Sequence, residues 1–240
     1  MINKDIINYL NVEPIFRNDI FYWFLFHGTR KYALECSKEE REAIHQACKV
    51  ISKFADVTIN SNQVPDEIQH MYHMYPIALK GKEEGDSFFQ YGDFYLTTDF
   101  EVAIDYSANC GGEYMQLVYN NINGIIAAGI ALPDEVKKAF DYIKDVYPKF
   151  EQSERIVVAI NNIEYKDLLH QGGEKFFFSD NSNPFLNFYG NNGFRLMNVD
   201  KYKNRFYIIN ESDFDEYKAA FEKFAEMMEL FENNKFNRLK

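Results

Sequence analysis

The sequence predicts an α+β domain on three observations. Residues 21–26 run apolar or aromatic without a break, the character of a strand buried on both faces. The second half, from 155 to 210, is a series of short strand-like stretches separated by Gly- and Asn-rich turns such as YGNNG. Between and after these lie segments whose apolar residues recur at the three- and four-residue spacing of helices. A chain of 240 residues with 46% hydrophobic side chains suffices for one large domain, 1–240, with its own core. Its 23 Phe and 17 Tyr against 1 Trp put much of that core into aromatic packing.

Taken in order, residues 2–12 read as a short helix ended by Pro14, and the 20s as a buried strand. Ser37 and Glu40 form a capping box, in which the hydroxyl reaches an amide of the first turn and the glutamate reaches back. Ile44, Ala47, Cys48 and Ile51 continue that helix to about Phe54. Residues 56–90 are polar and punctuated by Pro65, Pro76, Gly81 and Gly85, which predicts a long irregular connection with one short helix over 67–74. Residues 93–99 alternate as a strand, and a helix follows from Thr98 or Asp99. Helices over 113–131 and 134–147, the second opened by Pro133, Asp134 and Glu135, form a helical insertion at about 110–150. Strands are expected at 155–161, 175–180, 194–199 and 205–210. Ser212 with Asp215 caps a long C-terminal helix whose Phe214, Tyr217, Phe221, Phe224, Met228 and Phe231 make an apolar stripe. Packing on its own sheet is the simplest role for that stripe, and docking a partner is the alternative.

The bulk charge narrows the function. A net charge of -11 repels phosphate, which weakens any case for non-specific DNA or anionic-membrane binding. Cys36, Cys48 and Cys110 are odd in number and lack CxxC spacing, so the expectation is buried thiols in a reducing cytoplasm. The N-terminus has charges inside its apolar stretch, unlike a signal peptide, and no uncharged apolar run approaches the ~18 residues of a membrane span. His70 and His73 share a helical face but have no accompanying ligand set, so no metal site is expected. Neither phosphate-loop motif, GxxxxGK[ST] or GxGxxG, is present.

Two segments carry chemistry: FYWFLFHGTR at 21–30, a strand aimed at His-Gly, and GDFYLTTDFEVAIDYS at 92–107, with one tyrosine in a strand and another on the following helix. Together they resemble the signature segments of ADP-ribosyltransferases of the poly(ADP-ribose) polymerase and diphtheria-toxin type, and of small bacterial toxin-like domains. The resemblance implies a split, mostly antiparallel β-sheet core and NAD+ as substrate. Gly28 would then offer its backbone amide and carbonyl to the nicotinamide carboxamide, an approach that a Cβ would block. His27 would bond the adenosine ribose with Thr29 beside it, Tyr95 and Tyr106 would sandwich the nicotinamide ring, and Arg30 would meet a pyrophosphate oxygen.

The family's catalytic glutamate opens a late strand, but here Arg205 stands at that place, where its charge would repel a developing cation. Glu174, just after Gly172 and Gly173, is the first replacement to consider, followed by Glu211 and Glu164. The catalytic set implied is His27, Tyr95 and Glu174. The activity implied is transfer of a single ADP-ribose to a macromolecular acceptor, protein or nucleic acid, in a toxin or phage-defence setting with an antitoxin or other partner. An NAD+ glycohydrolase, an RNA 2'-phosphotransferase and an inactive NAD-binding or interaction module are the alternatives.

Overall fold

A computed structural model of the chain describes residues 20–21, 24–60, 66, 94–170 and 193–222. The strands are β1 (Ile20–Phe21), β2 (Leu25–Arg30), β3 (Phe94–Leu96), β4 (Arg155–Ile160), β5 (Ile163–Glu164), β6 (Leu168–His170), β7 (Phe194–Leu196) and β8 (Phe206–Asn210). The helices are α1 (Lys31–Glu35), α2 (Lys38–Asn60), α3 (Phe100–Ser107), α4 (Gly112–Ala127), α5 (Asp134–Glu151), α6 (Val199–Tyr202) and α7 (214–222). The architecture is mixed α and β with antiparallel sheets.

One three-stranded sheet has the order β2-β4-β8 and another β3-β7-β6, while β1 and β5 form a separate ribbon. Central β4 is buried from Ile156 onward, which explains why Ile-Val-Val-Ala-Ile shows no alternation. The two larger sheets touch through a single bridge, where Phe26 N–H donates to Thr97 O and Thr97 N–H to Phe26 O, both at 2.8 Å. Beyond it β2 and β3 part company. The paired sheet is therefore split along the β2 and β3 edges.

Two cores support this frame. The first joins the sheets to α3 and α7, with Phe221 packed edge-on against Phe24 and Phe26 and tilted against Phe100. Phe214, Tyr217 and Phe221 are buried, so the described part of the C-terminal stripe packs inward. The second core is helical and mixes aliphatic with aromatic side chains, holding Ile44, Cys48 and Ile51 of α2 against Ile122 of α4 and Ile143 and Phe150 of α5. The segment read as an insertion thus shares its interior with α2. All three cysteines are free and buried.

Several boundaries move. Helix α2 runs six residues past Phe54, because Ala55 and Ile59 extend its buried stripe. The Ser37 hydroxyl accepts from Glu40 N–H at 3.1 Å as a cap should, but the Glu40 carboxylate is drawn to Tyr32 OH at 2.5 Å and Lys149 Nζ at 3.1 Å. At the far end Ser212 donates to Asp213 at 3.2 Å. Asp99 caps α3 as expected, accepting from Glu101 N–H at 2.8 Å and Val102 N–H at 3.3 Å. The readings over 2–12, 67–74 and 175–180, and the stripe beyond 222, lie outside the described residues. Among the described residues, no helix is long and apolar enough to cross a membrane.

Candidate functional site

The site begins with hydrogen-bond parity along β2. In an antiparallel ladder alternate residues turn both backbone groups to the same neighbour. Phe26 spends its N–H and C=O on Thr97, so Leu25, His27 and Thr29 face β4 and Gly28 shares the Phe26 edge. Past the bridge no strand among the described residues pairs with that edge. Among the described residues no backbone bond meets the Gly28 amide or carbonyl there, and both open into the split.

Packing also requires a glycine at position 28. A Cβ at this position would lie 1.6 Å from the Ala103 carbonyl oxygen and 2.8 Å from the Ser107 nitrogen. Helix α3 sits so close to β2 that only glycine fits beneath it. The missing side chain admits the helix, while the exposed backbone edge remains for a ligand.

On the opposite face of β2, the His27 ring stacks on Phe94 with centroids 3.9 Å apart, and Phe94 stacks on Phe206 at 5.4 Å. His27 Nδ1 lies 2.7 Å from the Tyr95 carbonyl oxygen, which only accepts, so Nδ1 carries the hydrogen and Nε2 keeps its lone pair. Burial pushes the imidazole down to about 4, with the Tyr95 bond opposing in part. His27 is neutral at pH 7, with its tautomer fixed, and offers an acceptor.

These groups wall a cavity of about 710 Å³ between the split sheets and the helical layer. That is within the roughly 300–1,000 Å³ of small-molecule and cofactor sites. His27, Gly28, Thr29, Tyr95 and Tyr106 all line it, so two segments far apart in sequence meet in one space. Tyr106 is 42% exposed, and its phenol is pushed up by burial and then by the charge of Glu113. Phe94 and Phe206 add apolar wall; Arg41 and Lys203 add positive charge. Cys36 also lines the cavity, but burial, then the Glu40 charge, lifts its thiol to about 11, leaving it un-ionised at neutral pH.

Arg30 is placed elsewhere. Its guanidinium donates to Ser153 O and Ala108 O, each at 3.0 Å, and it braces α3 and α5 rather than lining the cavity. Glu174 lies outside the described residues. Glu211 pairs with Arg155 at 3.1 Å, and Glu164 with Lys201 at 2.5 Å and Lys166 at 2.7 Å, both away from the cavity. Arg205 donates to Asn162 O at 2.8 Å and lies over the Tyr202 ring, so it does not line the cavity either. No group of three or more metal-ligating side chains occurs among the described residues, and His70 and His73 are outside them.

Arg41 and Glu113 line the cavity beside the residues to which the two segments point. Arg41 sits on the first turn of α2, close behind the His-Gly strand, and Glu113 follows Gly111 and Gly112, whose φ of +72° and +80° make the sharp entry to α4. That glycine pair, a few residues after Tyr106, is the signal that would have found Glu113. Compared with known proteins, the chain matches no protein-family model, no curated protein and no solved structure.

Proposed function

We propose that this cavity binds NAD+ and that the chain is a mono-ADP-ribosyltransferase acting on a macromolecule. The observation that supports this best is the conjunction at the split: an open Gly28 backbone edge, a neutral His27 with a free Nε2, and Tyr95 and Tyr106 around the same space. A carboxamide presents one donor and one acceptor, and the Gly28 carbonyl and amide are their complement. His27 Nε2 accepts a ribose hydroxyl, a role that an imidazolium could not fill. The two phenol rings exclude water around the ring to be expelled, and Arg41 takes the pyrophosphate charge that Arg30, committed to carbonyls, does not meet, with Lys203, paired to Asp200, beside it.

The chemistry is cleavage of the bond between C1' and the nicotinamide nitrogen. Its electron pair leaves with nicotinamide, and positive charge develops on the ribose as in glycoside hydrolysis. Orientation and desolvation in such a cleft supply a large part of the acceleration. The toxin setting and an inhibiting partner rest on the sequence resemblance alone. The test is mass spectrometry of protein and nucleic acid from cells expressing the wild type beside His27→Ala. One ADP-ribose on a macromolecule, seen only with the wild type, is the expected result. Free ADP-ribose with no adduct would make the chain a glycohydrolase instead.

A further inference from the structure

We infer that Glu113 is the carboxylate of this reaction, facing the ribose C1' and taking the proton of the acceptor nucleophile. The inference rests on the NAD+ reading of the cavity. Among the described residues that line the cavity, Glu113 is the one carboxylate. Its Oε2 is shielded from solvent and finds no hydrogen-bond partner. Leaving a buried polar atom unpaired is costly, and one that faces a ligand cavity is explained by a catalytic role. Of the other acids considered for the role, Glu211 is consumed by an ion pair with Arg155 and Glu164 by two lysines, and Glu174 lies outside the described residues.

Its surroundings suit the task. Glu113 stands in the first turn of α4, where the helix amides favour the ionised form, while burial pushes its carboxyl up. It lies near enough to Tyr106 for its charge to raise the phenol. A carboxylate so placed stabilises the developing cation and then acts as base. The bond from C1' to the nicotinamide nitrogen breaks, and the pair leaves with neutral nicotinamide. A lone pair of the acceptor oxygen or nitrogen forms the new bond to C1', and the acceptor's proton passes to the Glu113 carboxylate. The acceptor is therefore a protonated nucleophile, a hydroxyl, amine or amide.

The test compares wild type, Glu113→Gln, Glu113→Asp and His27→Ala in two assays: the rise in melting temperature on adding NAD+, and the rate of adduct formation. Glu113→Gln is expected to keep the NAD+-induced rise and lose transfer by roughly 10²–10⁴-fold, the share of a positioned acid or base. Glu113→Asp, which keeps the charge but retracts it, should retain binding and fall between the two in rate; it carries the test if the glutamine variant folds poorly. Transfer by Glu113→Gln at the wild-type rate, with His27→Ala inactive, would overturn this inference and leave the NAD+ reading standing. Loss of the NAD+-induced rise in a well-folded Glu113→Gln would overturn it too, by making Glu113 a binding group. A wild type that neither responds to NAD+ nor transfers would remove both.

Discussion

Asp167 and Glu113 are both carboxylates withdrawn from water, and they respond in opposite ways. Asp167 sits beneath α6, where Tyr202 OH donates at 2.6 Å, Lys201 Nζ at 2.7 Å and Asn198 at 2.5 Å. Burial alone would raise its carboxyl, but these bonds outweigh it and hold the group below the usual carboxylate range. Glu113 has no such company, and burial pushes it up. Around Asp167 three donors converge on one carboxylate; around the split, among the described residues, the Gly28 edge, His27 Nε2 and Glu113 Oε2 are left over. Burial by itself marks no site. Unspent hydrogen-bonding capacity, gathered around one cavity, does.

The comparison is broken most sharply at Asp167. Asp167→Ala leaves the Tyr202 hydroxyl and the Asn198 amide without their acceptor, while Lys201 keeps Glu164, and should cost about 3–5 kcal/mol in urea unfolding, the sum of two buried donors left unpaired. At temperatures where the variant is still folded, its response to NAD+ should match the wild type. A weakened response would mean the structural cluster and the cavity are not separate.

Next comes acid. The folded imidazole of His27 titrates at about 4 and the unfolded one near the ordinary 6.5, so between these values the unfolded chain binds the extra proton and stability falls with falling pH. The expected loss from this group is on the order of 3 kcal/mol across that window. Above pH 6.5 it contributes no slope. Unfolding curves of wild type and His27→Gln at pH 7 and 4.5 check it: the glutamine variant should lose less stability between the two.

Gly28→Ala should cost about 1–3 kcal/mol, because its methyl meets the Ala103 carbonyl and α3 must shift. A thermal melt measures it, and an unchanged melting temperature would show that α3 does not press on β2. The smallest stability effect belongs to Tyr106→Ala. At 42% exposure its loss should change stability by under about 0.5 kcal/mol. NAD+ affinity should nonetheless fall several-fold, in line with a stacking contribution of about 0.5–1.5 kcal/mol.

Local signals in the sequence reached much of this site. His27, Gly28, Thr29, Tyr95 and Tyr106 stand at a strand end, in a strand and on the helix after it, and all five line one cavity. The bonds of Arg30 are not legible locally because its partners, Ser153 and Ala108, are more than seventy residues away and only the folded chain brings them near. Arg41 and Glu113 escaped notice for the same reason. Their own helices were legible from periodicity, but which ends of α2 and α4 face the split is decided by packing. The strands show the same divide: β4 and β8 could be read from composition, whereas β5 and β6, at two and three residues, are too short to carry a pattern.

The most direct measurement is a calorimetric titration of NAD+ into wild type and His27→Ala, with nicotinamide and ADP-ribose titrated separately. Saturable one-to-one binding of NAD+ to the wild type, tighter than either fragment and lost or severely weakened in His27→Ala, is the expected result. No heat of binding to a folded wild type, or equal binding by both proteins, would contradict the placement of the dinucleotide in the split.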